Sequence, residues 1–246
     1  MKDNFSIHSD QYAKYRPVYP QKLYEFLLKL VPDNKLAWDC ATGNGQIANE
    51  LTKYFDAVYA TDISSKQLEN APVNSKITYS VSPAEQTSFT ENSFDLITVG
   101  QAIHWFNFEL FYKEAVRTIK NKGILAVVGY GLNSSYPEAD AIISHFYHHI
   151  IGSFWDNERR YIDENYQTIP FPFTEIEPIY VENKMEWTFE QMMGYLGTWS
   201  AVQHYIKQRG ENPLDLIYEK LKNTWEKKPT RTIRFPILLR VARIKK

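Results

Sequence analysis

Asp39 stands four residues before Gly43, and Gly45 follows two later, within Leu36-Ala-Trp-Asp-Cys-Ala-Thr-Gly-Asn-Gly-Gln46. Two glycines at that spacing let the backbone approach a ligand with no Cβ in the way. A helix opening just beyond would offer unpaired N–H groups and the positive end of its dipole. A second acid, Asp62, closes the apolar run Ala57-Val-Tyr-Ala60. An acid at such a strand end can hold the two hydroxyls of a ribose. These pieces together describe a nucleotide-type cofactor lying across the carboxyl ends of a parallel sheet.

The turn does not choose the cofactor. Gly43-Asn-Gly45-Gln-Ile-Ala48 also satisfies the dinucleotide pattern G-x-G-x-x-A, where a pyrophosphate rests on the helix N-terminus. Three features favour S-adenosylmethionine (AdoMet). Asp39 would repel a pyrophosphate but would accept the cationic methionyl amine. Ser82-Pro-Ala-Glu85 can present a backbone N–H and a polar side chain to an adenine edge. Gly100-Gln-Ala-Ile-His104-Trp105 puts polar and aromatic groups where the reacting end should lie.

The elements that must position these residues alternate. The pattern predicts a helix over Gln21–Leu30, with Leu23, Phe26, Leu27 and Leu30 on one face. Strands are expected at Leu36–Ala41, Ala57–Thr61, Ile77–Val81, Phe94–Val99 and Ile124–Val128. Helices are expected from Gln46 to Phe55, from an N-cap at Ser64 to Ala71, and from Glu109 to Ile119. Strands separated by helices imply a doubly wound, mostly parallel α/β sheet covered on both faces. Beyond Tyr130 the rhythm changes. Helical stretches are expected at 136–151, 188–208 and 213–226, with an exposed strand at 179–187. Pro236 marks the closing run Arg231–Arg243 as an edge strand or a bulge. No linker or repeat divides the chain, so one domain is expected: a cap over 1–35, a cofactor-binding core over 36–130, a lid and substrate region over 131–230, and a closing strand over 231–246.

Composition narrows the partners. A formal net charge of −1 argues against a general electrostatic grip on nucleic acid. One cysteine, Cys40, rules out an internal disulfide and fits a reducing compartment. Residues 1–10 are polar, with no apolar segment behind a basic start, and no apolar run suits a membrane span. A cytoplasmic protein without nucleic-acid or membrane partners is the expectation. No metal is expected either: His145, His148 and His149 have no matching Cys or acidic ligands.

Asp-x-Ala-x-Gly-x-Gly, the later Asp62, Ser-Pro-Ala-Glu and Phe-Asp-Leu-Ile-Thr resemble the class I AdoMet-dependent methyltransferases. Tyr15-Arg-Pro-x-Tyr-Pro20 and Gln101-Ala-Ile-His-Trp-Phe106 look like a narrower branch that includes the trans-aconitate methyltransferases. The resemblance is strong over roughly residues 12–130 and looser beyond, where Trp199-Ser-Ala201 and the closing strand look similar. It implies a Rossmann-like sheet of seven strands, the last antiparallel, with inserted lid helices. It also implies S-adenosylhomocysteine as product. Asp39, Ala41 and Gly43 would line the methionyl part, with Gly45 shaping the same turn. Asp62 would bind the ribose and Ile63 pack on the adenine, with Ala84 and Glu85 meeting it from the other side. Gln101 would lie beside the sulfonium. Tyr12, Tyr15 and Arg16 would fold over the cofactor, and Arg16 is a candidate for its carboxylate.

At the acceptor end, Trp105 and Tyr130 could face the sulfonium or methyl. Arg159 and Arg160 could hold a carboxylated acceptor, with Trp199 nearby. His104 is the candidate general base. A carboxylate acceptor, favoured by the branch resemblance, is already ionised and needs no base. The expectation is methyl transfer to a small organic acceptor. Two alternatives stand beside it: an NAD-dependent oxidoreductase, and a non-catalytic AdoMet-binding regulator. Nucleic-acid methylation fits poorly, because no Asn/Asp-Pro-Pro-Tyr-type motif follows the fourth strand.

Overall fold

The structure is a computed structural model that describes residues 15–225 and 228–246. Helix α1 (Gln21–Leu30) buries Leu23, Tyr24 and Leu27. The alternation then runs β1 (Leu36–Cys40), α2 (Gln46–Leu51), β2 (Ala57–Asp62), α3 (Ser65–Glu69), β3 (Ile77–Val81), β4 (Phe94–Gly100), α4 (Phe108–Thr118) and β5 (Ile119–Tyr130). Ser64 caps α3, its side chain accepting from the Gln67 amide, and Asn107 caps α4 in the same way through the Leu110 amide. The expected helix from Gln46 stops at Leu51 and continues as turns to the buried Phe55.

Seven strands lie along one path, β3-β2-β1-β4-β5-β8-β6, parallel from β3 through β5. Strand β8 (Arg231–Arg243) enters antiparallel to β5, and the short β6 (Glu175–Ile176) pairs antiparallel with β8. The sheet is covered on both faces, as the near-continuous apolar runs require. Trp38, Phe94, Ile97 and Phe111 belong to one buried cluster; Leu23, Leu27, Ile47, Leu51 and Val58 belong to another. Asp95 pins the edge of this layer: it accepts from the Leu36 amide at 3.0 Å and pairs with Lys120 at 2.7 Å.

Pro236 does not mark an edge. Strand β8 is interior, and the proline sits where its partner changes. Arg231–Pro236 pair with β7 (Glu182–Trp187), whereas Ile237–Arg243 pair with β5. Proline has no N–H to donate, which suits a handover point. Its carbonyl still accepts from the Gly131 amide at 3.0 Å.

Residues beyond Tyr130 build a third, aromatic cluster. Helix α5 (Pro137–His145) runs into a π-helical turn (Phe146–Ile150), so the expected 136–151 helix is split in character. A four-residue α6 (Arg160–Asp163) follows, then α7 (Phe189–Gly197), α8 (Ser200–Arg209) and α9 (Tyr218–Trp225). Phe146, Trp187, Tyr195, Trp199 and Phe235 are buried together here. Among the described residues, no helix is long and apolar enough to cross a membrane.

Candidate active site

The strand order reverses beside β1, which has β2 on one side and β4 on the other. Loops leaving β1 and β4 therefore diverge and open a crevice at the carboxyl ends of the strands. Residues at both loop starts carry positive φ without being glycine: Ala41 at 54° and Gln101 at 53°. That conformation is costly for an L-residue and tends to persist where a site demands it.

The glycine turn is held by the two acids. Gly43 and Gly45 adopt φ of 57° and 78°. A Cβ on Gly45 would lie 2.6 Å from the Tyr79 hydroxyl oxygen, so both backbone angle and space exclude a side chain there. Asp62 accepts from the Gly43 amide and from the Ser64 amide, each at 2.9 Å. A carboxylate has about four acceptor positions, so these two bonds do not exhaust it. Asp39 is 1% exposed. It accepts from Thr42 Oγ1 at 2.5 Å, Thr98 Oγ1 at 2.9 Å and the Ala48 amide at 3.0 Å. Burial pushes its carboxyl up to about 6, against the opposing pull of those three bonds.

A cleft enclosing about 850 Å³ lies over this turn, within the usual size of a cofactor site. Asp39, Ala41, Gly43, Asp62, Ile63 and Gln101 all line it, as do Arg16, Trp105 and Tyr130. Gly45 lies behind the lining and shapes it. Tyr12 lies outside the described residues. Ala84 and Glu85 are not brought to the cleft. Ala84 is packed in the core, and Glu85 accepts from the Asn107 amide at 3.0 Å, tying its loop to the start of α4.

Gln101 and Arg16 are building parts as well as lining. The Gln101 side chain donates to the Tyr130 carbonyl at 3.1 Å and accepts from the Tyr130 amide at 2.8 Å, clamping the β4 loop to the end of β5. Arg16 donates to the Tyr130 hydroxyl at 3.0 Å and to the Thr198 carbonyl at 3.1 Å, so it joins the opening segment to both the sheet and α7's end. Tyr15 runs alongside, against Gly194 of α7.

A second chamber of about 420 Å³ adjoins the cleft and shares Arg16, Gln101 and Trp105 with it. Its remaining wall includes His104, Trp155, Asp156, Arg159 and Trp199. Arg160 is not brought there: it is exposed, its guanidinium 4.8 Å over the Tyr161 ring. Tyr130 faces the cleft and not the chamber.

His104 is buried, with Nδ1 3.5 Å from the Tyr166 hydroxyl. Desolvation, then the charges of Arg159 and Arg16, pushes its pKa down to about 3. An imidazole so poised is neutral at physiological pH and a weak proton acceptor, which counts against the general-base role. NMR titration of its ring is expected to show no midpoint between pH 5 and 8; a midpoint near neutrality would restore the base.

Several site residues escaped the sequence pattern. Thr42 and Thr98 fix Asp39, and Gln67, 3% exposed, lines the cleft from α3. Gln67 carried one usable signal, a polar residue three places after an N-cap. Among the described residues, no three His, Cys, Asp or Glu side chains group as a metal site.

Residues 38–127 match the methyltransferase-domain family. Over 228 residues the chain is 33% identical to a proposed methyltransferase of Dictyostelium discoideum, covering 91% of this chain and 87% of the relative. The crystal structure of a proposed type II methyltransferase from Anaeromyxobacter dehalogenans superposes with a TM-score of 0.86 at 35% identity, covering 94% of this chain and 99% of that one. A more distant likeness, of fold alone, is to phosphoethanolamine N-methyltransferase 2 of Haemonchus contortus. That protein was solved with phosphomonomethylethanolamine and S-adenosylhomocysteine; the TM-score is 0.50 at 14% identity, over 98% of this chain and 58% of that one.

Proposed function

The chain belongs to the class I AdoMet-dependent methyltransferases, and from that premise we propose how its residues divide the work. The cofactor is AdoMet and the reaction is methyl transfer. In our reading AdoMet lies over the Gly43–Gly45 turn. Asp62 takes the ribose hydroxyls, Ile63 packs on the adenine, and Asp39 supplies a buried negative charge toward the methionyl amine. Arg16 stands near the methionyl carboxylate while bracing the opening segment. The observation that carries this reading is one cleft at the strand-order reversal, lined by both acids and Gly43.

The acceptor in this reading is a small organic molecule seated in the adjoining chamber, and a carboxylate oxygen is the atom we favour. The trans-aconitate branch resemblance supports it, and so does the chamber's electrostatics: two arginines beside a neutral histidine. An oxygen lone pair attacks the methyl carbon and forms the C–O bond. The C–S bond breaks, its electron pair stays on sulfur, and the sulfonium becomes a neutral thioether. No proton is released, so no base is required; alignment of acceptor and sulfonium carries the rate. Residues 131–230 act as the lid of a single domain. A cytoplasmic setting is consistent with one buried cysteine.

Titration calorimetry tests the donor end. AdoMet and S-adenosylhomocysteine are expected to bind at micromolar concentrations, and NADH is not. Stabilisation by NADH without binding of either sulfur nucleoside would reverse the residue assignments.

A further inference from the structure

Arg159 is the most unusual cation in the described chain. Its side chain is 14% exposed. The guanidinium lies 4.6 Å over the Trp155 ring and 5.2 Å over the Tyr147 ring. Its Nε donates to the Tyr147 hydroxyl at 2.6 Å and stands 3.5 Å from an Asp163 carboxylate oxygen, which itself accepts from that same hydroxyl at 2.5 Å. All of its anchoring is therefore on the Nε side. Neither terminal nitrogen donates to any acceptor among the described residues, although Arg159 lines the chamber. A guanidinium held flat between rings, with two parallel N–H donors left over, is a fork shaped for a planar anion.

Position adds to this. The chamber meets the cofactor cleft through Arg16, Gln101 and Trp105, whereas Arg159 lines the chamber but not the cleft. Trp105, Trp155 and Trp199 wall the space between. Asp156 also lines the chamber, and its carboxylate stands 3.8 Å from His204 Nδ1. The Tyr166 hydroxyl engages His104 through Nδ1, which leaves Nε2 as the imidazole nitrogen for a ligand.

We propose that Arg159 anchors the acceptor through a carboxylate at the chamber end away from AdoMet, with a flat apolar body between the tryptophans. The atom that takes the methyl is then a different one, reaching the Gln101–Trp105 end. The acceptor is thus two-headed: an organic acid whose anchoring group is not the group methylated. Arg159 is the residue that selects it. This rests on the methyltransferase reading of the adjoining cleft.

The test uses the full-length protein saturated with S-adenosylhomocysteine and three probes with one body and different heads: benzoate, phenylphosphonate and benzamide. Binding is read from the indole N–H resonances of the tryptophans. Benzoate is expected to shift a subset that includes Trp155 and to bind at least tenfold more tightly than benzamide. Arg159→Gln is expected to erase that preference, and Arg159→Lys to restore it only in part, because lysine lacks the fork. Both variants should bind S-adenosylhomocysteine as the parent does, which shows them folded. Equal binding of benzoate and benzamide, or an unchanged preference in Arg159→Gln, would overturn the proposal. Phenylphosphonate binding tenfold above benzoate would overturn the carboxylate assignment in favour of a phosphate head. Failure of S-adenosylhomocysteine itself to bind the parent would strike the methyltransferase reading instead.

Discussion

Asp62→Ala is expected to weaken S-adenosylhomocysteine binding by about 100- to 1000-fold. Two ribose hydroxyls donating to one carboxylate contribute roughly 1.5–3 kcal/mol each, because the acceptor is charged. Each 1.4 kcal/mol is about tenfold in affinity. The same carboxylate holds the Gly43 and Ser64 amides, so the variant also loosens the floor on which the nucleoside rests. Asp62→Asn separates the two effects. It keeps one oxygen acceptor and most of the turn, and loses only the charge, so the loss should fall to about tenfold. A 2′-deoxy analogue of S-adenosylhomocysteine completes the cycle. The parent should discriminate against it, while Asp62→Ala should bind both nucleosides alike. Discrimination that survives in Asp62→Ala would mean that another residue reads the ribose.

How much of this could be read from the chain depends on what sets each feature. The first five strands and Ser64's cap were legible because local pattern alone fixes them: apolar runs bounded by turn residues, and a serine whose hydroxyl reaches the next amide. The glycine turn was legible for the same reason, since φ of 78° at Gly45 requires a residue without a Cβ. Pro236 was misread because a proline within a strand excludes a ladder donor, not an interior position; the handover from β7 to β5 is a tertiary fact. Glu85 was placed on the adenine by resemblance, whereas its carboxylate is drawn to the Asn107 amide across the sheet loops. Arg159 and Arg160 looked equivalent in sequence. Only packing separates them, one stacked on Trp155 at the chamber and the other facing outward on Tyr161. His104 shows the same limit: nothing local reveals that two distant arginines and burial strip it of its proton affinity.

Asp39 leads to the second large effect, and its sign follows from burial. In an unfolded chain its carboxyl titrates near 3.8; in the empty fold it is pushed up to about 6. The folded state therefore prefers the proton. Stability is lost as pH rises from about 4 to about 6 and is flat above, a burden of order 3 kcal/mol at neutral pH. A cationic amine near the ionised carboxylate offsets that burden, so the ligand and the ionised form favour each other. Affinity for S-adenosylhomocysteine should then fall about tenfold for each pH unit below 6, and level off above 7. Asp39→Asn preserves shape and an oxygen for the Ala48 amide but has nothing to ionise. It should bind about 10- to 100-fold more weakly at pH 7.5 and show no slope between pH 5 and 7. Urea denaturation should find the empty variant as stable as the parent at pH 7.5, or more so, because the desolvated charge is gone. Calorimetric titrations of both proteins across pH 5–7.5 decide the matter. A flat profile in the parent, or a slope that persists in Asp39→Asn, would remove Asp39 as the counter-charge and leave it only as the strut that Thr42, Thr98 and Ala48 make of it.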